Sequence, residues 1–277
     1  MGGNDEALVG MLRDCGLAVA AAVRRLRAEA PPAALAVEQG LGADGAPTSR
    51  IDLVAEQAAL AYLEALPSRW RFNILSEECG LLDRGAGLTL VIDPIDATNN
   101  AITDFPYYAF SVAALDGRPR AGCVINLPTG DCWTAVRGHG AALNGRPLAR
   151  LPVTALAEAI LAVVRPMTAA DLARLRPLLL GARRVRITGC TALDVCLIAS
   201  GTLDGFANPN RYRNPLWGEK VVDYAAAALV LEEVGGALSD QAGAPLAYPL
   251  DLRHRLCLQA AATPALLAEL RRAMAGA

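Results

Sequence analysis

Leu88-Thr89-Leu90-Val91-Ile92-Asp93-Pro94-Ile95-Asp96-Ala97-Thr98-Asn99-Asn100 is the stretch on which the fold turns. Residues 88–92 are rich in β-formers and read as a buried strand, which delivers Asp93 at its C-terminal end. A carboxylate leaving a core needs a partner, because an isolated buried charge is strongly disfavoured. Asp96 follows three residues later, so the two acids can converge on one hard cation. Pro94 fixes the turn between them. The segment after it can start a short helix, whose free N–H groups favour an anion. A cation beside amide donors is what a phosphate ester requires. Taken alone, the same residues also describe a strand followed by an Asp-capped helix.

Working outward toward the N-terminus, Phe72 to Leu75 predicts a short strand ending in Ser76-Glu77-Glu78. Asp52 opens a helical pattern that runs to Leu66 and stops at Pro67. A glycine-rich loop spans Gly40 to Pro47. Before it, Leu8, Met11, Leu12, Cys15, Val19, Ala22, Val23 and Leu26 recur at helical spacing until Pro31-Pro32. Toward the C-terminus, Tyr107 to Leu115, Arg120 to Leu127 and Asp131 to Val136 predict successive antiparallel strands, joined at Asp116-Gly117 and Thr129-Gly130-Asp131. Gly138 to Pro147 reads as a loop. From there strands (Ala159–Val164, Arg184–Ile187, Leu203–Ala207, Leu256–Ala260) alternate with helices (Ala169–Leu180, Ala192–Ser200, Val221–Val234, Pro264–Met274). Alternation of this kind predicts an α/β layer. Two parts are expected: an N-terminal α+β domain, 1–150, with an antiparallel sheet, and a C-terminal α/β domain, 151–277.

Composition removes several classes of function. Apolar residues make up 53% of the 277, enough for a sizeable core. With 26 Lys and Arg against 28 Asp and Glu, there is no basic excess of the kind a nucleic-acid surface needs. Charged residues enter from Asp5 onward, so the start does not read as a targeting peptide, and no run approaches the ~18 apolar residues of a membrane span. A cytoplasmic protein is expected. The seven cysteines include no Cys-x-x-Cys pair and read as free thiols in a reducing compartment. His139 and His254 are the only histidines, too few for a histidine zinc site, and nothing suggests the geometry of a Ser-His-Asp triad.

What remains is acidic. Glu77-Glu78, beside Gly80, reads as a site rim, although paired glutamates are usually solvated. Asp52 reads equally as a helix cap. Asp223 lies in an apolar helical run, where a carboxylate should face water or sit at the helix start near a cation; Gly235-Gly236 ends that helix. Oxygen-only ligands point to Mg2+ or Mn2+.

The chain resembles the inositol monophosphatase superfamily in five blocks that occur in that family's order. They are Ile51-Asp52-Leu53-Val54, Ser76-Glu77-Glu78, Asp93-Pro94-Ile95-Asp96-Ala97-Thr98, Gly189-Cys190-Thr191-Ala192-Leu193-Asp194, and Val222-Asp223-Tyr224-Ala225-Ala226 running into Glu233-Val234-Gly235-Gly236. The resemblance implies a layered α-β-α-β-α sandwich, a homodimer, and Mg2+-dependent hydrolysis of a small phosphorylated metabolite with no covalent phosphoenzyme. It implies metal ligation by Glu77, Asp93 and the carbonyl of Ile95 for a first ion, by Asp93, Asp96 and Asp223 for a second, and by Glu77 for a loosely held third. Asp52 and Thr98, with Glu77, would be the catalytic groups, the first two orienting the attacking water. The amides of Ala97 and Thr98 would hold the phosphate, Gly189, Cys190 and Thr191 would lie near the substrate's ring, and Glu78 would support the ligands from behind.

Some residues depart from the family's pattern. Ala97 stands where Gly is usual, and its amide serves without strain only at negative φ. Ala55-Glu56-Gln57-Ala58 replaces Thr-Glu-Ala-Asp and removes carboxylate support, which can be worth ~10–100-fold in affinity or activity. Val222 replaces the Trp common before the last acid, as in the archaeal branch that includes enzymes acting on inositol phosphate and fructose bisphosphate. In the loop from Asn208 to Lys220, Arg211, Arg213 and Lys220 could grip a second phosphate, and Glu219 is a candidate substrate contact. Alternatives are a family member that binds phosphate ligands without turnover, and a nucleotide 3′-phosphatase.

Overall fold

The computed structural model describes residues 3–149, 153–211 and 217–276. The expected boundary at residue 150 and the expected contact Arg213 lie outside the described residues. The chain opens with helix α1 (Gly3–Glu29), a single turn α2 (Pro32–Leu35), a hairpin of β1 (Glu38–Leu41) and β2 (Pro47–Ser49), and helix α3 (Arg50–Glu64). There follow β3 (Asn73–Ser76), β4 (Gly80–Leu82), β5 (Thr89–Asp96), α4 (Thr98–Ile102), β6 (Ala109–Leu115), β7 (Pro119–Asn126), β8 (Cys132–Val136), β9 (Ala141–Leu143) and β10 (Arg146–Pro147). The second half comprises β11 (Ile160–Val163), α5 (Ala169–Gly181), β12 (Arg184–Arg186), α6 (Thr191–Ala199), β13 (Gly205–Ala207), α7 (Val221–Glu232), β14 (Ala237–Ser239), β15 (Gln259–Ala261) and α8 (Pro264–Ala275).

These elements build the α-β-α-β-α sandwich. An eight-stranded sheet runs β10-β9-β8-β7-β6-β5-β3-β4, antiparallel except for the parallel pair β3–β5. A five-stranded sheet runs β12-β11-β13-β15-β14. α1 and α3 cover one face of the large sheet; α6 and α7 lie between the sheets; α5 and α8 close the far side. Strand β6 explains the order. Its side chains alternate, with Phe110, Val112 and Ala114 in the core under α1 and α3, and Ala109, Ala113 and Leu115 in the core around α7. A strand buried on both faces reads as a continuous apolar run. The Ala225–Ala228 stretch of α7 lets the helix approach closely: a Cβ on Gly122 of β7 would meet Ala226 Cα at 3.1 Å.

Three expectations need correction. The glycine-rich stretch from Gly40 to Pro47 is mostly the turn of a hairpin, because β1 and β2 pair across it. The loop expected over Gly138 to Pro147 contains β9 and β10, which extend the large sheet. The strand expected to end at Ile92 continues to Asp96, through an irregularity between Asp93 and Asp96 where it pairs with β6. Among the described residues no helix is long and apolar enough to cross a membrane, and no cysteine is in a disulfide.

Candidate active site

The parallel pairing of β3 and β5 sets Ser76 opposite Ile92. β3 ends there while β5 runs on paired with β6 alone, so Glu77 and Asp93 follow side by side. The start of α7 faces them. There Asp223, third residue of the helix, accepts a hydrogen bond from Lys220 N at 2.8 Å, which closes the first turn and fixes the carboxylate. Glu77, Asp93 and Asp223 thus offer carboxylate oxygens that all lie within 4.8 Å of one another.

Asp52 is likewise the third residue of its helix, α3, rather than the cap. Ser49 is the cap, and its N–H and hydroxyl reach Asp52 Oδ2 at 3.1 and 2.7 Å. The other oxygen, Oδ1, accepts Thr98 Oγ1 at 2.7 Å. Asp52 and Thr98, 46 residues apart, are therefore brought together. Thr98 Oγ1 also lies 3.2 Å from the carbonyl oxygen of Ile95, whose side chain is core. Asp93 Oδ1 accepts Ile95 N at 3.0 Å, which tightens the turn. Asp96 turns one oxygen away from the cluster: its Oδ2 accepts Ala192 N at 2.6 Å and the Cys190 thiol at 3.2 Å, tying β5 to the start of α6.

Ala97 has φ +74° and ψ +53°, contrary to the negative φ that an unstrained alanine requires. The cause is the abrupt passage from β5 into α4: the N–H groups of Asn100 and Ala101 both return to Ala97 O, at 2.9 and 3.2 Å. A left-handed alanine costs about 1–2 kcal/mol.

The cluster is electrostatically unbalanced. Burial, reinforced by Glu77, Asp96 and Asp223, pushes Asp93 well above the usual carboxylate range. Burial pushes Glu77 up to about 8 against the opposing pull of Lys220. Asp96 rises to about 7 through burial and the nearby Asp223. Carboxylates crowded in this way are the donor set of a hard divalent cation, and the residues fit one.

Two adjoining hollows open from the cluster. One, of about 270 Å³, is lined by Gly189, Cys190, Thr191, Ile187, Glu219 and Asp223 among others. The second, of about 470 Å³, is lined by Asp44, Glu77, Met167, Trp217, Lys220, Asp223 and Arg255 among others. Arg165, at the end of β11, lines both. The 189–191 segment lines the first of these hollows. Glu219 is engaged in holding the core together, accepting Asn208 Nδ2 at 2.8 Å and Leu258 N at 3.0 Å.

The cations differ from expectation. Arg211 lines a separate hollow with Arg174, Gln241 and Met274, and its backbone N–H meets Asp171. Lys220 does not reach into open cleft; it is buried in the acidic cluster, paired with Glu77, with Asp44 at 3.2 Å and with Asp223 at 3.8 Å. Its extended backbone at the α7 cap turns the side chain back across the acids. Three residues went unrecognised in the sequence: Asp44, Arg165 and Arg255. Asp44 sits in the glycine-rich turn, and Arg165 follows a strand of the parallel part of its sheet, a position where ligands commonly bind. Ala55 and Ala58 pack in the α1–α3 core, and Glu56 between them accepts Cys79 N at 2.9 Å, so α3 still anchors the turn carrying Glu77 and Glu78. Glu78 accepts a hydrogen bond from the Thr48 hydroxyl, which ties that turn to β2.

Fold and site together define a layered α/β protein with an acidic, hard-oxygen cleft at the meeting of two sheets. The family model for the inositol monophosphatase family matches residues 11–275, and the chain belongs to this phosphatase family. It is 34% identical over 236 residues to a fructose-1,6-bisphosphatase/inositol-1-monophosphatase of Methanothermobacter thermautotrophicus, covering 80% of this chain and 81% of that one. It is 29% identical over 245 residues to a bifunctional NADP phosphatase/NAD kinase of Methanococcus maripaludis, covering 78% of this chain and 41% of that one. The crystal structure of an inositol monophosphatase–fructose 1,6-bisphosphatase superposes with a TM-score of 0.79 at 26% identity, covering 95% of this chain and 98% of that one.

Proposed function

We propose that this chain is a Mg2+-dependent phosphomonoesterase acting on a small phosphorylated metabolite, an inositol phosphate or a sugar phosphate or bisphosphate. The convergence of Glu77, Asp93 and Asp223 beside the Asp52–Thr98 pair carries this reading. Two or three Mg2+ ions, or Mn2+, held by Glu77, Asp93, the Ile95 carbonyl, Asp96 and Asp223 would neutralise phosphate oxygens and make a bound water more acidic. The protein's own groups do the rest. Thr98 donates its hydroxyl proton to Asp52, which leaves an oxygen lone pair to receive a water's hydrogen. Asp52, held above its ordinary range by burial, is suited to take up that proton. The water so held attacks phosphorus opposite the leaving oxygen while its proton passes through the Thr98 hydroxyl to Asp52, the P–O bond breaks, and the leaving oxygen takes a proton from solvent water and departs as the alcohol. The amides of Ala97 and Thr98 hold the phosphate, and residues 189–191 form the wall against which the alcohol packs.

The wider hollow suits a sugar in size. Exposed Arg165 is placed to meet a second phosphate, the role that Arg211 and Arg213 were expected to fill. A phosphatase for NADP or another nucleotide is the second reading, favoured by the relative of that activity and by Trp217 on the wall of the same hollow. Phosphate release should be measured with inositol 1-phosphate, fructose 1,6-bisphosphate, NADP and 3′-phosphoadenosine nucleotides, in MgCl2 and in EDTA. Release from one class in MgCl2 alone is expected. Tight binding of these compounds with no release would instead mark a binding or regulatory protein. A homodimer belongs to the same proposal and is read by light scattering.

A further inference from the structure

Lys220 is the least expected group in the cleft. Its side chain is only 8% exposed, and it is surrounded by acids rather than directed at open space. The ammonium pairs with Glu77, sits 3.2 Å from Asp44 Oδ2 and 3.8 Å from Asp223 Oδ1. These three acids come from three places in the chain: the β1–β2 turn, the end of β3 and the start of α7. Arg255 lies 3.2 Å from the same oxygen of Asp44, so that acid is held by two cations.

We infer that Lys220 is a resident cation of the acidic cluster, filling the place between Glu77 and Asp44 that a further divalent ion would otherwise take. The inference rests on the metal-dependent phosphatase reading. Glu77 and Asp44 both direct a carboxylate oxygen at the ammonium. Without Lys220 those oxygens would face each other across a buried space beside Asp223, the hard-oxygen setting that attracts Mg2+. With Lys220 present, the ammonium itself fills the position and engages the facing oxygens of Glu77 and Asp44, leaving neither space nor those oxygens for an ion there. The lysine supplies positive charge at the cleft wall at every metal concentration, whereas an ion there would come and go. It also holds the β1–β2 turn against α7 through Asp44, which an exchanging ion would do only when bound.

Calorimetric titration of the metal-free protein with MgCl2, in the absence of substrate, tests this. Three proteins are compared: wild type, Lys220→Met and Lys220→Arg. Lys220→Met should bind one more Mg2+ per chain than wild type, and Lys220→Arg, which keeps the charge, the same number as wild type. Electron paramagnetic resonance of added Mn2+ counts the same ions independently. The same stoichiometry in Lys220→Met and wild type would remove the role assigned to Lys220 and leave the phosphatase reading intact. No Mg2+ binding by any of the three would remove both. Should Lys220→Met fail to fold in metal-free buffer, MgCl2 added during refolding should restore it, since the new ion replaces the lost charge; failure in both buffers overturns the inference.

Discussion

Thr98 carries two demands at once, as the first residue of a one-turn helix and as partner of Asp52. Its hydroxyl matters to the proposed chemistry and its methyl does not. Thr98→Ala should lower kcat by about 10²-fold or more, the usual weight of a positioned proton-transfer group. Thr98→Ser should recover most of that loss, and steady-state kinetics on the best substrate will show whether it does. Equal activity in all three proteins would mean that the Asp52–Thr98 contact is only structural. Ala97, next to it, is held at φ +74°. Glycine there relieves about 1–2 kcal/mol of left-handed strain but adds about 0.5–1 kcal/mol of unfolded-state entropy. Ala97→Gly should therefore raise stability by up to about 1.5 kcal/mol, or up to roughly 3–5 °C in Tm. A fall in Tm would show that the alanine side chain earns its place by contacts instead.

At the scale of elements, α7 decides the architecture, because it packs on β5, β6, β7 and β8 while carrying Asp223 into the cleft. Ser111 of β6 donates its hydroxyl to Val222 O at 3.2 Å, a tie between sheet and helix next to the site. The close approach at Gly122 is a vulnerable point of this contact, since an added methyl meets Ala226 Cα, O and Cβ at 3.1, 3.2 and 3.3 Å, and α7 must give by a few tenths of an ångström. Gly122→Ala should cost about 1–3 kcal/mol, read as a drop of about 2–9 °C in Tm by calorimetry. An unchanged Tm would mean that α7 can shift outward freely. The helix itself was readable in the chain: an apolar run from Val221 closed by Gly235-Gly236. Strands β9 and β10 were not, because they are very short, are set among turn residues (Gly138, Gly140, Asn144, Gly145), and exist only through pairing with β8 and with each other. The hairpin β1–β2 escaped notice for the same reason.

Across the whole molecule, legibility follows the distance over which a residue's role is made. Asp93 and Asp96 announce themselves by leaving an apolar strand together. Asp44 gives no such signal: its partners Lys220 and Arg255 lie 176 and 211 residues away, and only the folded arrangement of hairpin and α7 gives it meaning. Lys220 was read as a substrate contact because its loop is basic, whereas the fold turns it into the acids. The crowding of those acids has a consequence for the protein's stability. Glu77 is held up to about 8, Asp96 to about 7 and Asp93 well above its ordinary range, in each case by burial first. Without metal, the folded protein therefore keeps protons that the unfolded chain has already released near pH 4. The folded state binds more protons than the unfolded state across that window, so metal-free stability should fall as pH rises from about 5 toward about 8. A divalent cation takes the place of those protons, and it competes better as they become easier to remove. In saturating MgCl2 the fall should be cancelled or reversed, so that Tm curves recorded in EDTA and in MgCl2 lie close together at about pH 5 and separate progressively toward about pH 8. Curves that stay parallel over that range would mean that the cation binds without displacing protons, and that Glu77, Asp93 and Asp96 are not its ligands.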